Sequence, residues 1–109
     1  MAKVIFGQIG RLKADKINEY VTLHAAPWEG VLKTITECHL ENYSIFLHAD
    51  SVFAYFEYTG DDYDADMEKM AADPITQDWW NHTKPCFEEY AVDPQSRFYH
   101  DMKQIFFHQ

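Results

Sequence analysis

Two periods run through the apolar positions of this chain, one near two residues and one near three and a half. Residues 3–9 (Lys-Val-Ile-Phe-Gly-Gln-Ile) are rich in β-branched and aromatic side chains and predict a first strand. Gly10 to Ala14 reads as a loop, and Asp15 as a helix N-cap. The first helix is then expected to reach about Ala26, with Ile17, Tyr20, Val21 and His24 on one inward stripe. Pro27 breaks that helix and suits the first turn of a second, where Trp28, Val31, Leu32 and Ile35 repeat at helical spacing, ending near Cys38 or His39. Residues 42–48 and 51–58 read as strands joined tightly at Ala49 and Asp50, which predicts an antiparallel hairpin. Tyr63, Met67, Met70 and Ala71 stripe a third helix that ends before Asp73 and Pro74. A short fourth helix, residues 75–83, carries Trp79 and Trp80. The segment 84–100 has no period and is long for a loop, so it is expected to pack over something or reach a partner. Residues 103–108 read as a last strand.

The order is strand, helix pair, strand, strand, helix pair, strand. This is the ferredoxin-like split βαβ arrangement, an α+β fold with helices on one face of an antiparallel sheet. Alternation puts Tyr43, Ile45 and Leu47 on one face of the second strand, and Ser44, Phe46 and His48 on the other. In the third strand Val52, Ala54, Phe56 and Tyr58 oppose Phe53, Tyr55 and Glu57. Both faces carry large aromatics, yet the helices cover only one. A second copy is expected to cover the other, sheet on sheet, giving a homodimer of the dimeric α/β barrel kind.

Composition narrows the function. At 109 residues the chain is expected to form a single domain, 1–109, and an aromatic share of 17% demands a large core, a ligand site or an interface. A net charge of -9 with scattered Lys and Arg argues against nucleic acid and against anionic membranes. Cys38 and Cys86 form no metal or disulfide motif, and residues 1–7 run straight into a strand without a signal-peptide pattern. No stretch is long enough to span a bilayer, and the protein is expected to be cytoplasmic. No pair of histidines has metal-ligand spacing, so neither a metal nor another cofactor is expected. His39 is expected at a helix C-terminus, and His82, His100 and His108 on the surface or in loops. The run Asp61, Asp62, Asp64, Asp66 reads as helix capping rather than a calcium loop, since it lacks the glycine and distal glutamate.

The chemistry centres on Tyr20 and His24, spaced i, i+4 on the buried side of a helix, where a phenol and an imidazole need partners. Taken alone, such a histidine is more commonly a satisfied core residue, and a tryptophan pair more commonly core or interface. Together the pattern Tyr20-x-x-x-His24, then Trp28, then Asn42-Tyr43-x-Ile45-x-Leu47, then Trp79-Trp80 resembles the L-rhamnose mutarotase family. The likeness covers nearly the whole chain. It implies a small dimeric ferredoxin-like protein in which His24 is the proton donor and Tyr20, Tyr43, Trp79 and Trp80 contact the sugar. The chain departs from the family around Ala25-Ala26-Pro27, at Glu29 after Trp28, and in the region after the tryptophan pair. These departures bear on which sugar is taken, L-rhamnose or L-fucose, more than on the reaction.

Mutarotation opens a cyclic hemiacetal and recloses it on the other face. It needs a proton taken from the anomeric hydroxyl and one given to the ring oxygen, work suited to a near-neutral histidine. His82, close to the tryptophans, is an outside candidate for a second acid-base group. Rival readings on the same fold are a cofactor-free monooxygenase, a haem-binding protein, and a non-catalytic small-molecule binder.

Overall fold

The computed structural model describes residues 3–88 and 98–109. Strand β1, Val4–Leu12, pairs antiparallel with β3, Ser51–Tyr58, along its whole length, and β3 pairs with β2, Leu40–His48. The opposite edge of β1 is shared by two short strands. β4, Phe87–Glu88, sits at the Leu12 end, and β5, His100–Met102, lies along Gly7 to Ile9. The sheet order is β2-β3-β1-β4, the order of a ferredoxin-like fold. Four helices cover one face: α1, Ile17–Ala25; α2, Glu29–Glu37; α3, Tyr63–Ala72; and α4, Pro74–Thr83.

The expected alternation in β3 holds. Val52, Ala54, Phe56 and Tyr58 are buried under the helices, and Phe53, Tyr55 and Glu57 face outward. The core falls into two clusters on the helix side. One gathers Leu12, Tyr20, Val52, Cys86 and Phe87; the other gathers Cys38, Leu40, Phe56, Tyr58 and Met70. Phe6 stacks on both Phe56 and Tyr63 and so ties β1 to α3.

Helix ends follow their local chemistry. The Asp62 carboxylate accepts from the Ala65 N–H at 3.1 Å as the N-cap of α3, with Asp64 and Asp66 in its first turn, so the acidic run is capping chemistry. Asp73 closes α3 and caps α4, accepting from the Thr76 amide and hydroxyl, both at 2.8 Å. Those bonds, with one from Thr34, hold its carboxyl below the usual range. Pro74 fills the first position of α4, one residue earlier than expected.

Several expectations need correction. Asp15 caps nothing: residues 14–16 form a 3-10 turn, and the N-cap of α1 is Lys16, without a side-chain bond. The turn follows because the Lys13 amide is drawn to the Cys86 carbonyl at 2.8 Å, which fixes the chain entering it. Val21 is 47% exposed, since it lies about 100° around the helix from Tyr20, which points straight into the core. Leu32 is likewise exposed on α2. His100, expected at the surface, is buried in β5. The strand expected at 103–108 does not form, and the strand that pairs is the preceding His100–Met102. Ile105 and Phe106 are left 90% and 80% exposed. Residues 89–97, the middle of the irregular segment, lie outside the described residues; its ends form a 3-10 turn at Lys84–Cys86, then β4, and return at Phe98 into β5.

The second strand starts two residues earlier than expected and contains a bulge. Leu40 pairs with Tyr58 and Glu41 with Glu57, but Ser44 pairs with Tyr55, so Asn42 and Tyr43 together oppose Phe56. Asn42 takes a left-handed φ of 51°, which asparagine tolerates better than most residues. Its side-chain amide donates to Glu57 at 2.9 Å, and bonds from Tyr55, Lys3 and Asn42 hold the Glu57 carboxyl down to about 2. The extra residue reverses the alternation, so both Leu40 and Tyr43 turn to the helix side.

Candidate active site

The bulge, α1 and α4 converge on one cavity of about 460 Å³. It is lined by Tyr20, His24, Tyr43, Trp79 and Trp80, together with Ile45, Thr83, Lys84, Phe87, Phe98 and Tyr99. All five residues singled out in the sequence therefore meet at one site. A second cavity of about 350 Å³ shares His24, Tyr43, Ile45, Trp79 and Trp80 with the first, and α2 adds the apolar Val31, Leu32 and Ile35.

His24 sits half-buried in the last turn of α1. Its Nδ1 lies 2.8 Å from the Tyr20 carbonyl oxygen. A carbonyl only accepts, so Nδ1 carries the proton, and in the neutral ring Nε2 is left with a lone pair. Burial disfavours the imidazolium and pushes the His24 pKa below its ordinary value, partly offset by the bond to Tyr20. The ring lies 4.2 Å from the Tyr20 ring and meets the Trp79 ring edge-on at 5.2 Å. His24 is thus held from both sides in one tautomer and one orientation.

Tyr20 is buried, and burial pushes its phenol well above the usual range. Its hydroxyl is 2.8 Å from that of Tyr99. Tyr43, carried by the bulge, stacks on Phe56 at 5.2 Å, and desolvation raises its phenol too, although the residue is 38% exposed. Both phenols are therefore neutral donors at neutral pH.

The two tryptophans differ in burial. Trp79 is 6% exposed and packs edge-on against Trp28 as well as His24. Trp80 is half-buried against the second core cluster, and the Lys84 ammonium lies 4.4 Å over its ring. Both nevertheless contribute to the cavity wall, so core packing and cleft lining are not split between them.

His82 is exposed, donates Nδ1–H to the Asp78 carbonyl at 2.8 Å and packs edge-on against Trp28. It is not among the cavity lining, so the outside candidate for a second acid-base group lies beside the site rather than in it. Among the described residues no group of three or more His, Cys, Asp or Glu side chains converges on a point, and no helix is long and apolar enough to cross a membrane.

Sequence reasoning missed Tyr99, Phe98, Thr83 and Lys84. Thr83 and Lys84 follow Trp80 by about one helical turn, so helical spacing alone could have found them. Tyr99 carries no such signal, because it reaches the site from the far edge of β1 through β5.

Comparison with known proteins agrees with this picture. The family model for L-rhamnose mutarotase matches residues 6–108. An L-rhamnose mutarotase from Shouchella clausii is 28% identical over 95 residues, 85% of this chain and 86% of that protein. One from Listeria monocytogenes is 31% identical over 91 residues, 82% of this chain and 83% of that protein. Among solved structures, an L-rhamnose mutarotase from Formosa agariphila superposes with a TM-score of 0.75, covering 97% of this chain and 99% of that one. At 17% identity that last likeness speaks for the fold alone.

Proposed function

Because the chain belongs to the L-rhamnose mutarotase family, we propose that it interconverts the α and β anomers of a deoxy-hexose, L-rhamnose above all, with His24 moving the protons. The observation that carries this reading is the convergence of Tyr20, His24, Tyr43, Trp79 and Trp80 on one cavity, with His24 Nδ1–H tied to the Tyr20 carbonyl. Neutral His24 takes the anomeric hydroxyl proton on Nε2 as the bond from C1 to the ring oxygen breaks. The Tyr20 hydroxyl gives its proton to that ring oxygen. The open-chain aldehyde turns about its C1–C2 bond, and reclosure returns both protons to where they began. Protons and electron pairs balance with no outside reactant. Trp79 and Trp80 cover the apolar C–H face and the methyl group, and Tyr43 bonds the polar edge.

The test is anomer exchange by NMR saturation transfer, run in parallel on L-rhamnose and L-fucose. Faster exchange on L-rhamnose is expected. Preference for L-fucose would move the substrate and keep the reaction. No acceleration on either sugar, with binding retained, would leave a binding module, and a strong visible band on haem titration would favour the haem reading.

The pH dependence has a definite sign. Only neutral His24 accepts the first proton, and burial lowers its pKa from the ordinary value of about 6.5. The rate constant for exchange at low sugar should therefore be flat near neutrality. It should fall on acidification, with a midpoint below about 6.5. A midpoint above that value would contradict the assignment.

The second copy belongs to this reading as well. The outward sheet face is uncovered in one chain: Phe46 is 61% exposed and meets Phe53 edge-on, and Met102 is exposed beside them. Two such faces laid together bury the aromatics and give the dimeric barrel. Sedimentation at micromolar concentration should give twice the chain mass, and a monomer would defeat this part of the reading. Both cysteines are free and buried, compatible with a reducing, cytoplasmic setting.

A further inference from the structure

We propose that Tyr99 is a positioning residue of this site: its hydroxyl donates to the Tyr20 oxygen, freeing the Tyr20 proton to point into the cavity beside His24. The inference rests on the mutarotase reading and adds a residue that the family pattern quoted above does not contain. Each phenol has one proton, and the two oxygens are 2.8 Å apart, so one phenol donates and the other accepts. If Tyr20 were the donor, its only proton would be spent on Tyr99, and it could only accept from a sugar. If Tyr99 donates, the Tyr20 O–H is left for the ring oxygen, and Tyr20 is the phenol whose ring lies 4.2 Å from His24.

The second arrangement is the one that leaves a proton for the sugar, and Tyr99 is held in place to supply it. Tyr99 is anchored by its ring, which meets Phe87 edge-on at 5.1 Å, and by its place next to β5. As Tyr20 releases its proton to the sugar, its oxygen gains negative charge, and the Tyr99 hydrogen bond strengthens with it. The bond is thus worth more in the transition state than in the ground state, which is the condition for raising kcat rather than lowering KM.

The experiment compares wild type, Tyr99→Phe, Tyr20→Phe and the double variant in L-rhamnose anomer exchange. Tyr99→Phe keeps the ring on Phe87 and removes only the donor. It should lower kcat about tenfold with KM within about twofold, the size expected for losing one hydrogen bond to a charging oxygen. The double variant should be no slower than Tyr20→Phe alone, because the Tyr99 hydroxyl assists catalysis through Tyr20. Unchanged kcat in Tyr99→Phe, or losses that multiply in the double variant, would overturn the proposal while leaving the mutarotase intact. A purely structural role would show instead as a lower melting temperature with kcat preserved. A wild type without activity would sink the functional reading and this inference with it.

Discussion

His24→Ala is expected to slow anomer exchange by about 10²- to 10⁴-fold, the usual contribution of a positioned acid-base group. The loss should appear in kcat, because the tyrosines and tryptophans that would bind the sugar remain. The fold should survive. His24 is half-buried at a helix end, its Nδ1–H bonds a carbonyl of its own helix, and Tyr20 beneath it stays packed on Phe87. Removing the ring costs edge contacts with Trp79 and Tyr20, so stability should fall by about 1 kcal/mol, typical of single substitutions. Circular dichroism and a melting curve, run beside the exchange assay, separate the two effects. A folded His24→Ala variant with full activity would remove His24 as the proton carrier, and with it the mechanism.

Trp79→Ala should have the largest effect on stability. Trp79 is 6% exposed, and its ring meets His24 and Trp28 edge-on, both at 5.2 Å. Truncating so large a buried ring typically costs about 3–5 kcal/mol, through lost burial and the space left behind. A domain of this size has only about 5–15 kcal/mol to lose. The urea midpoint should drop far enough that part of the protein is unfolded at 37 °C. Trp79→Phe separates binding from folding. It retains most of the core contact, so the fold should hold while KM for the sugar rises. A Trp79→Ala variant as stable as wild type would mean that neighbouring side chains close the space and that Trp79 is not a core residue.

The sequence and the structure agree where a periodic face decides the outcome. The β3 alternation, the capping by the acidic run at Asp62, and the Tyr20–His24 pair on one helix face all follow from local spacing, and all are present. The resemblance added Tyr43 and the tryptophans, and those line the same cavity. What was not legible depends on partners distant along the chain. The bulge at Asn42 and Tyr43 exists only relative to β3, so no reading of residues 42–48 alone reveals it. Yet it is the bulge that lets Leu40 and Tyr43 share a face. Tyr99 meets Tyr20 across 79 positions, from a stretch without period. The strand expected at 103–108 had the right composition, yet the pairing stops at Met102. Val21 shows the complementary error, an apolar residue assigned inward by type although its angle on α1 carries it to the rim.

The Nδ1–H bond of His24 has a consequence for heat. It ties the ring to the carbonyl four residues earlier, within the last turn of the nine-residue α1, which ends just ahead of Pro27. Helix ends open at free energies well below that of global unfolding. When this turn opens, the ring loses both its direction and its fixed tautomer at once, while the sheet is still whole. Warming should therefore switch the site off reversibly, at temperatures below those that melt the β-structure.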